Sequence, residues 1–341
     1  MSDVLQTPTM AAPGYTGSAA QFPRQVSLVV GTASGDAFEL NQFRLVFQVR
    51  RGDYFNPNTV DVKVYNLSRE YAQKLAQAEY TQIVLKAGYP GSFGQIFAGQ
   101  ISQRRIGRES QLDTYVAFTA ADGDHAYNFA TCVYTVPAGN AASNRALASM
   151  LAAMQVAAGT VPITQGYAPT FQQDVYYRGR VFFGDTKDEI RDFCASRNLL
   201  PSIQDGALTL IPDNNFIPGN PVVLSANTGM IGTPEQTING IQVKCLLNPN
   251  IKIGQLVRID GTVTPYRFPL DIGSLANNPF IEQTIKIDGA GMYYVMTVNH
   301  EGDTRGQAWY SSLTCLSVDA SVTAAYTQQL AVTDIGPVPS Y

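Results

Sequence analysis

From Val26 onward, apolar and polar residues alternate with a period of two in short runs: "QVSLVVG", "FRLVFQVRRG", "TVDVKVYNL", "TQIVLKAGY", "GQIFAGQISQRRIG" and "DTYVAFTAADG". Alternation at that period places every second side chain on one face, so each run reads as a half-buried strand. Clusters of Gly, Pro and Asn between the runs supply the reversals. An antiparallel barrel or sandwich is therefore predicted over residues 23–125. One helix interrupts it: in "SREYAQKLAQAE", Ser68 suits the N-cap, and Tyr71, Leu75 and Ala78 recur at helical spacing.

The pattern changes over about 126–225. "NAASNRALASMLAAMQ" carries the stripe Leu147, Met150, Leu151 and Met154 behind a candidate cap, Ser143. "GDTKDEIRDFCASRN" offers Asp185 or Thr186 as N-cap, acidic residues in its first turn, the stripe Ile190, Phe193 and Cys194, and Arg197 at its end. "LLPSIQDGALTLIPD" reads as two strands around the turn Asp205-Gly206. This section is expected to be a small α+β insertion.

Strand-like alternation resumes at about 226 with "INGIQVKCLLNPNIKIGQLVRIDG". A Pro- and Asn-rich excursion, "TPYRFPLDIGSLANNPF", precedes a long hairpin in "QTIKIDGAGMYYVMTVNHEGDTRGQAWYSSLTCLSVD". Its turn is expected around Gly302 to Gly306. Residues 1–22 and 321–341 have too little large apolar content for a core and read as an extended arm and an extended tail.

Composition sharpens this picture. Charged residues are only 15% of 341, against about 25% in ordinary soluble domains, so much of the surface must be neutral or covered by partners. A net charge of −4, with no basic run longer than a pair, argues against sequence-independent DNA binding. Cys132, Cys194, Cys245 and Cys315 are widely separated, which suggests buried free thiols of a reducing compartment and not a disulfide or zinc framework. The N-terminus has no signal-peptide pattern, and no membrane span is expected, since "ALASMLAAMQVAAGTVPI" is short and interrupted.

Three places gather polar chemistry. His300 with Glu301 and Asp303 could pair a base with an acid, but the group falls at a turn with no nucleophile at a recognisable elbow. Asp122, Asp124 and His125 lack the remaining ligands of a calcium loop and read as a polar turn. "GYPGSFGQ" has no following Lys-Ser/Thr and leads into a strand, so it reads as a hairpin tip and not a phosphate loop. No catalytic residue, cofactor or metal is expected, and the chain is not read as an enzyme.

"NQFRLVFQVRRGDYFNPNTVDVKVYNLS" followed by "VLKAGYPGSFGQIFAGQISQRR" resembles the first barrel of baseplate hub proteins from contractile-tailed bacteriophages. "TGMIGTPEQTINGIQVKCLLNPNIKIGQLVRIDG" and "VNHEGDTRGQAWYSSLTC" continue the likeness, the latter being similar to the closing hairpin of that family's second barrel. The resemblance spans most of 40–318 and implies a mainly β fold of two tail-tube-like antiparallel β-barrels, 23–125 and 226–320, flanking the α+β insertion at 126–225. It implies a homotrimeric ring that joins the hexameric tail tube protein to a trimeric spike protein and contacts other baseplate proteins. DNA would pass through its channel without specific binding. Such a protein belongs to the virion, in the tail baseplate, and is assembled in the host cytoplasm. In this reading His300, Asp303, Arg305 and Trp309 are structural residues of the second-barrel hairpin, with Arg305 pairing an acid and Trp309 anchoring the packing. Gly88, Tyr89, Gly94, Phe97 and Gly99 form the first-barrel hairpin tip. The alternatives are a tail-tip cell-wall hydrolase, a tube-initiating tail protein and a carbohydrate-binding β protein, the last weakened by a single Trp.

Overall fold

The computed structural model describes residues 23–317 except 33–34, 77–79, 141, 160–162, 170, 172–174, 214, 238 and 261–289. The expected arm, the Pro- and Asn-rich excursion and the tail lie outside the described residues, as does Ala78. The first β section contains β1 (Gln25–Thr32), β2 (Ala37–Glu39), β3 (Leu45–Gly52), β4 (Thr59–Tyr65), α1 (Arg69–Leu75), β5 (Tyr80–Tyr89), β6 (Ser92–Arg108) and β7 (Thr114–Ala121). The insertion contains α2 (Asp124–Phe129), β8 (Thr131–Val136), β9 (Gly139–Asn140), α3 (Ala142–Ala158), β10 (Thr164–Gln165), β11 (Val175–Tyr176), β12 (Arg180–Asp185), α4 (Thr186–Ala195), β13 (Leu199–Gln204) and β14 (Ala207–Pro212). The second β section contains β16 (Met230–Thr237), β17 (Gly240–Leu246), β18 (Leu256–Asp260), β19 (Ala290–Asp303) and β20 (Trp309–Ser317), together with β15 (Val222–Leu224), which precedes the expected boundary at 226 but pairs with β18.

The fold is mainly β with an α+β insertion, as expected. Among the described residues, however, the two β sections run as one open 13-stranded sheet, ordered β16-β17-β20-β19-β3-β4-β7-β6-β5-β1-β2, with β18 also on β19 and β15 on β18. No closed barrel forms among them. The reason lies in β19. Its first half pairs with β18, from Leu256↔Tyr294 to Asp260↔Ala290. Its second half pairs with β3, from Thr297↔Gly52 to Asp303↔Val46. The irregularity between Val295 and Thr297 lies where the partner changes, and a bulge bends a strand and increases its twist.

Three separate apolar clusters lie beneath this framework. Leu45, Phe47, Val49, Val60, Val62, Leu85 and Phe118 belong to the first section's core. Val243, Cys245, Val257, Tyr293, Val295, Leu313 and Cys315 belong to the second's. The insertion has its own, formed on Met150, Met154, Phe182, Ile190, Phe193 and Leu210. All four cysteines are buried and free.

The helices differ from expectation at their ends. Ser68 caps α1 by accepting the Tyr71 N–H at 3.3 Å, but the buried face is Ala72 and Leu75; Tyr71 stays half exposed and packs edge-on against Phe38. α3 buries Ala146, Leu147, Met150, Leu151 and Met154. Ser143 is not its cap: it sits inside the helix, fully buried, with its hydroxyl accepting a hydrogen bond from the Arg197 guanidinium. Asp185 is the N-cap residue of α4, without a side-chain capping bond, and Arg197 lies just past the helix with its guanidinium 4.1 Å over the Phe193 ring.

Candidate functional site

The hairpin that concentrates His300, Asp303, Arg305 and Trp309 is β19–β20, and it reaches across to the first β section. Trp309 opens β20 but packs in the first section's core, edge-to-face on Phe47 with ring centroids 5.5 Å apart. This corrects the expectation of an anchor within the second barrel. Gly302 stands opposite both Phe47 and Trp309, and a Cβ there would run into the Phe47 ring, so a side chain at 302 would displace that aromatic pair. Arg24 closes the turn by donating to the carbonyls of Asp303 at 3.0 Å, Gly306 at 2.6 Å and Gln307 at 3.2 Å.

Arg305 does not supply the acid's partner. Asp303 is held by Arg44, which donates Nε to Oδ1 at 3.2 Å and Nη2 to Oδ2 at 2.7 Å, while Arg305 contributes its backbone N–H at 2.9 Å. The Arg44 hydrogen bond holds the Asp303 carboxyl below its ordinary pKa despite opposing desolvation. His300 is likewise no turn residue. It lies within β19, 1% exposed, in phase with Val298 and Gly302, with Nδ1 2.8 Å from the Ser311 hydroxyl. Ser311 also accepts the Asn248 N–H at 3.2 Å, leaving its own proton available to the imidazole.

Below His300 lies a polar seam to which all three sections contribute. Arg51 of β3 is buried; it donates to the Ile96 carbonyl at 3.1 Å and to Gln204 Oε1 at 3.1 Å, and its guanidinium lies 3.0 Å from the Asp205 carboxylate. Lys252 of the second section reaches the same Asp205 oxygen at 3.1 Å. Asn58 donates to the Ile203 carbonyl at 2.8 Å and to Gln204 at 3.0 Å, while Gln204 donates to the Gly52 carbonyl at 2.7 Å. Asp205 and Gly206 both have positive φ, 53° and 75°, which turns the β13–β14 tip into this seam.

Burial sets the titration of these groups. Desolvation pushes the Asp205 carboxyl up, but Arg51 and Lys252 outweigh it and leave the pKa below its usual range. Asp122 is pushed up to about 6, by desolvation above all, although it accepts the Gly206 N–H at 2.9 Å. Asp53, whose carboxylate accepts the Tyr294 hydroxyl at 3.2 Å, is also raised to about 6 by desolvation. His300 is pushed down to about 3, first by desolvation and then by the positive charges of Arg51 and Lys252. It is a neutral structural histidine, poorly suited to hold or pass a proton near pH 7.

The other singled-out residues do not converge. Asp122 faces the seam, Asp124 accepts from Asn128 at 2.9 Å, and the His125 ring turns to Phe129. Among the described residues no group of three His, Cys, Asp or Glu is placed to hold a metal. Gly88 and Tyr89 end β5, Gly94, Phe97 and Gly99 lie in β6, and the reversal itself is at Pro90-Gly91. Gly88 faces the Ser92 backbone too closely for any Cβ, and Phe97 is buried in the first core. Sequence reasoning missed Arg51, Lys252 and Asn58 as site residues and saw Asp205 only as a turn. One signal was available: in "LVFQVRRG" the alternation puts Arg51 in phase with Leu45, Phe47 and Val49, a cation where a core residue belongs.

Among the described residues, then, one long sheet is shared by the two β sections, and buried polar groups tie the insertion to both of them. Solved structures agree on the fold. The 43 kDa tail protein of prophage MuSo2 from Shewanella oneidensis superposes with a TM-score of 0.54 at 9% identity, covering 87% of this chain and 98% of that one. The tail protein from Neisseria meningitidis MC58 gives 0.54 at 9%, covering 86% and 96%. No curated protein matches the chain by sequence. The baseplate hub gp41 family matches residues 61–266, more than half of the sequence, and the chain belongs to that family.

Proposed function

We propose that this protein is a structural hub of a phage baseplate that forms a trimeric ring between the tail tube and the spike and leaves a channel through which the genome is ejected. Membership of the baseplate hub family carries this reading. The architecture supports it: β19 welds two β sections into one sheet while each keeps its own core, so one chain offers two β units at a fixed spacing. Three such chains would present six units to a six-fold tube and three to a spike. The low charged fraction suits a ring whose faces are largely covered by neighbours. The domain division at 23–125, 126–225 and 226–320 belongs to the same proposal, as do the tube, spike and other baseplate partners and assembly in the host cytoplasm. The proposed role is non-catalytic: among the described residues His300 is buried and neutral, and Asp122, Asp124 and His125 do not converge on one point.

Electron microscopy of the tail with this chain located is the test. A single three-fold ring between tube and spike is the expected image. A six-fold location, or a position at the tail periphery, would overturn the reading.

A further inference from the structure

The three apolar clusters share no member, and much of what joins the insertion to the two β sections is polar. Phe55 is the one residue of the first section in the insertion's core. Ile211 and Ile217 lie close against Gly254, and Ile163 and Ile203 against Gly123; the polar links include Arg51, Lys252 and Asn58 on the Ile203–Asp205 tip, Gln204 on Gly52, Gly206 on Asp122, Gln100 on the Ala158 carbonyl at 3.3 Å, and the Ile217 N–H on the Gly254 carbonyl at 2.7 Å. An interface within a chain that rests largely on polar contacts permits relative motion unless something pins it.

Asp205 is placed to be that pin. It is the one acid among the described residues that pairs with cations from both β sections, Arg51 and Lys252. It stands at the apex of a hairpin whose turn geometry presents the carboxylate outward from the insertion. Arg51 is buried whereas Asp205 and Lys252 are partly exposed, so removing the Asp205 charge leaves the Arg51 guanidinium desolvated without its anionic partner. From these contacts we propose that Asp205 is a charge lock that holds the insertion against both β sections, and that opening the lock frees the insertion tip while all three cores stay folded. The inference concerns motion within one chain and does not depend on the assembly proposed above.

Hydrogen exchange of the full chain, followed by mass spectrometry on wild type and Asp205→Asn, tests it. Asn tolerates the positive φ at 205 and keeps the shape of the side chain while removing its charge. Peptides covering 50–58 and 199–208 should exchange on the order of tenfold faster in the variant, the effect of losing a charge-assisted contact. Peptides from α3 and from β4 should keep their wild-type rates. Equal acceleration everywhere would mean global destabilisation, and unchanged rates in the seam peptides would mean no lock; either overturns the proposal. Should Asp205→Asn fail to fold, Lys252→Gln removes the lock's hold on the second β section alone: selective acceleration of peptides covering 199–208 and 250–256 supports the proposal, and uniform or absent acceleration there refutes it.

Discussion

At the scale of single residues, the polar side chains of the β19–β20 hairpin have separable effects on stability that pH can distinguish. His300 is held neutral, with a pKa near 3 instead of its ordinary value near 6.5. Below pH 6.5 the unfolded chain takes up a proton that the folded chain refuses, so this residue removes stability as pH falls towards 3. Asp53 and Asp122 act in the opposite sense. Raised to about 6, they bind protons more readily when folded and add stability as pH falls from 6 towards 4. His300→Gln should therefore remove one loss of stability on acidification, so that between pH 6.5 and 4 its melting temperature falls less, or rises more, than that of wild type. A variant whose melting temperature follows pH as wild type does would refute the assignment. Asp303 supplies a second test. Its pKa is depressed by Arg44, so that pair contributes above pH 4 and is lost as pH falls through the folded value. Arg44 is partly exposed, so Arg44→Ala should cost only about 1 kcal/mol at pH 7 in denaturant titrations. The share of that difference owed to the ion pair should vanish once pH is below the folded pKa of Asp303, leaving the contact of the Arg44 guanidinium with the Tyr65 ring, 4.8 Å from its centroid.

At the scale of elements, β19 decides the architecture, and the aromatic contact at its end shows how. Phe47 and Trp309 meet because Gly302 between them has no side chain. Trp309→Ala should cost about 3–5 kcal/mol, the usual price of emptying a buried aromatic site. Gly302→Ala should cost about 1–3 kcal/mol by overpacking. Since both act on one contact, the double variant should lose less than the sum of the singles, and strict additivity in chemical denaturation would show that the two positions are uncoupled.

At the scale of the whole molecule, three cores in one chain predict partial independence in folding. The insertion's buried cluster is built from its own residues except for Phe55. A fragment spanning 123–213 should accordingly unfold cooperatively by circular dichroism, with a near-ultraviolet signal from its packed aromatic residues. A fragment with secondary structure but no fixed aromatic environment would show instead that the β sections are needed to order it. The trimer is a prediction at the same scale: sedimentation at high concentration, alone and with the spike protein, should show a three-chain species, and a strictly monomeric protein under both conditions would count against the ring.

The sequence by itself determined the strands and their faces, because a period-two pattern is a local consequence of backbone geometry. It placed most of β1, β3–β7 and β17–β20, the apolar stripes of α3 and α4, and the Asp205-Gly206 turn. Only the tertiary structure decided which strands meet across long distances. Nothing local to "VNHEGDTRGQAWYSSLTC" tells that β19 changes partner at a bulge, so the pattern shows Trp309 as a packing anchor without showing that it packs in the first section's core, and it places His300 at a turn and Arg305 in an ion pair that Arg44 makes. The seam was illegible for the same reason: Arg51, Asp205 and Lys252 are far apart along the chain, and what brings them together is the folding of three separate cores against one another.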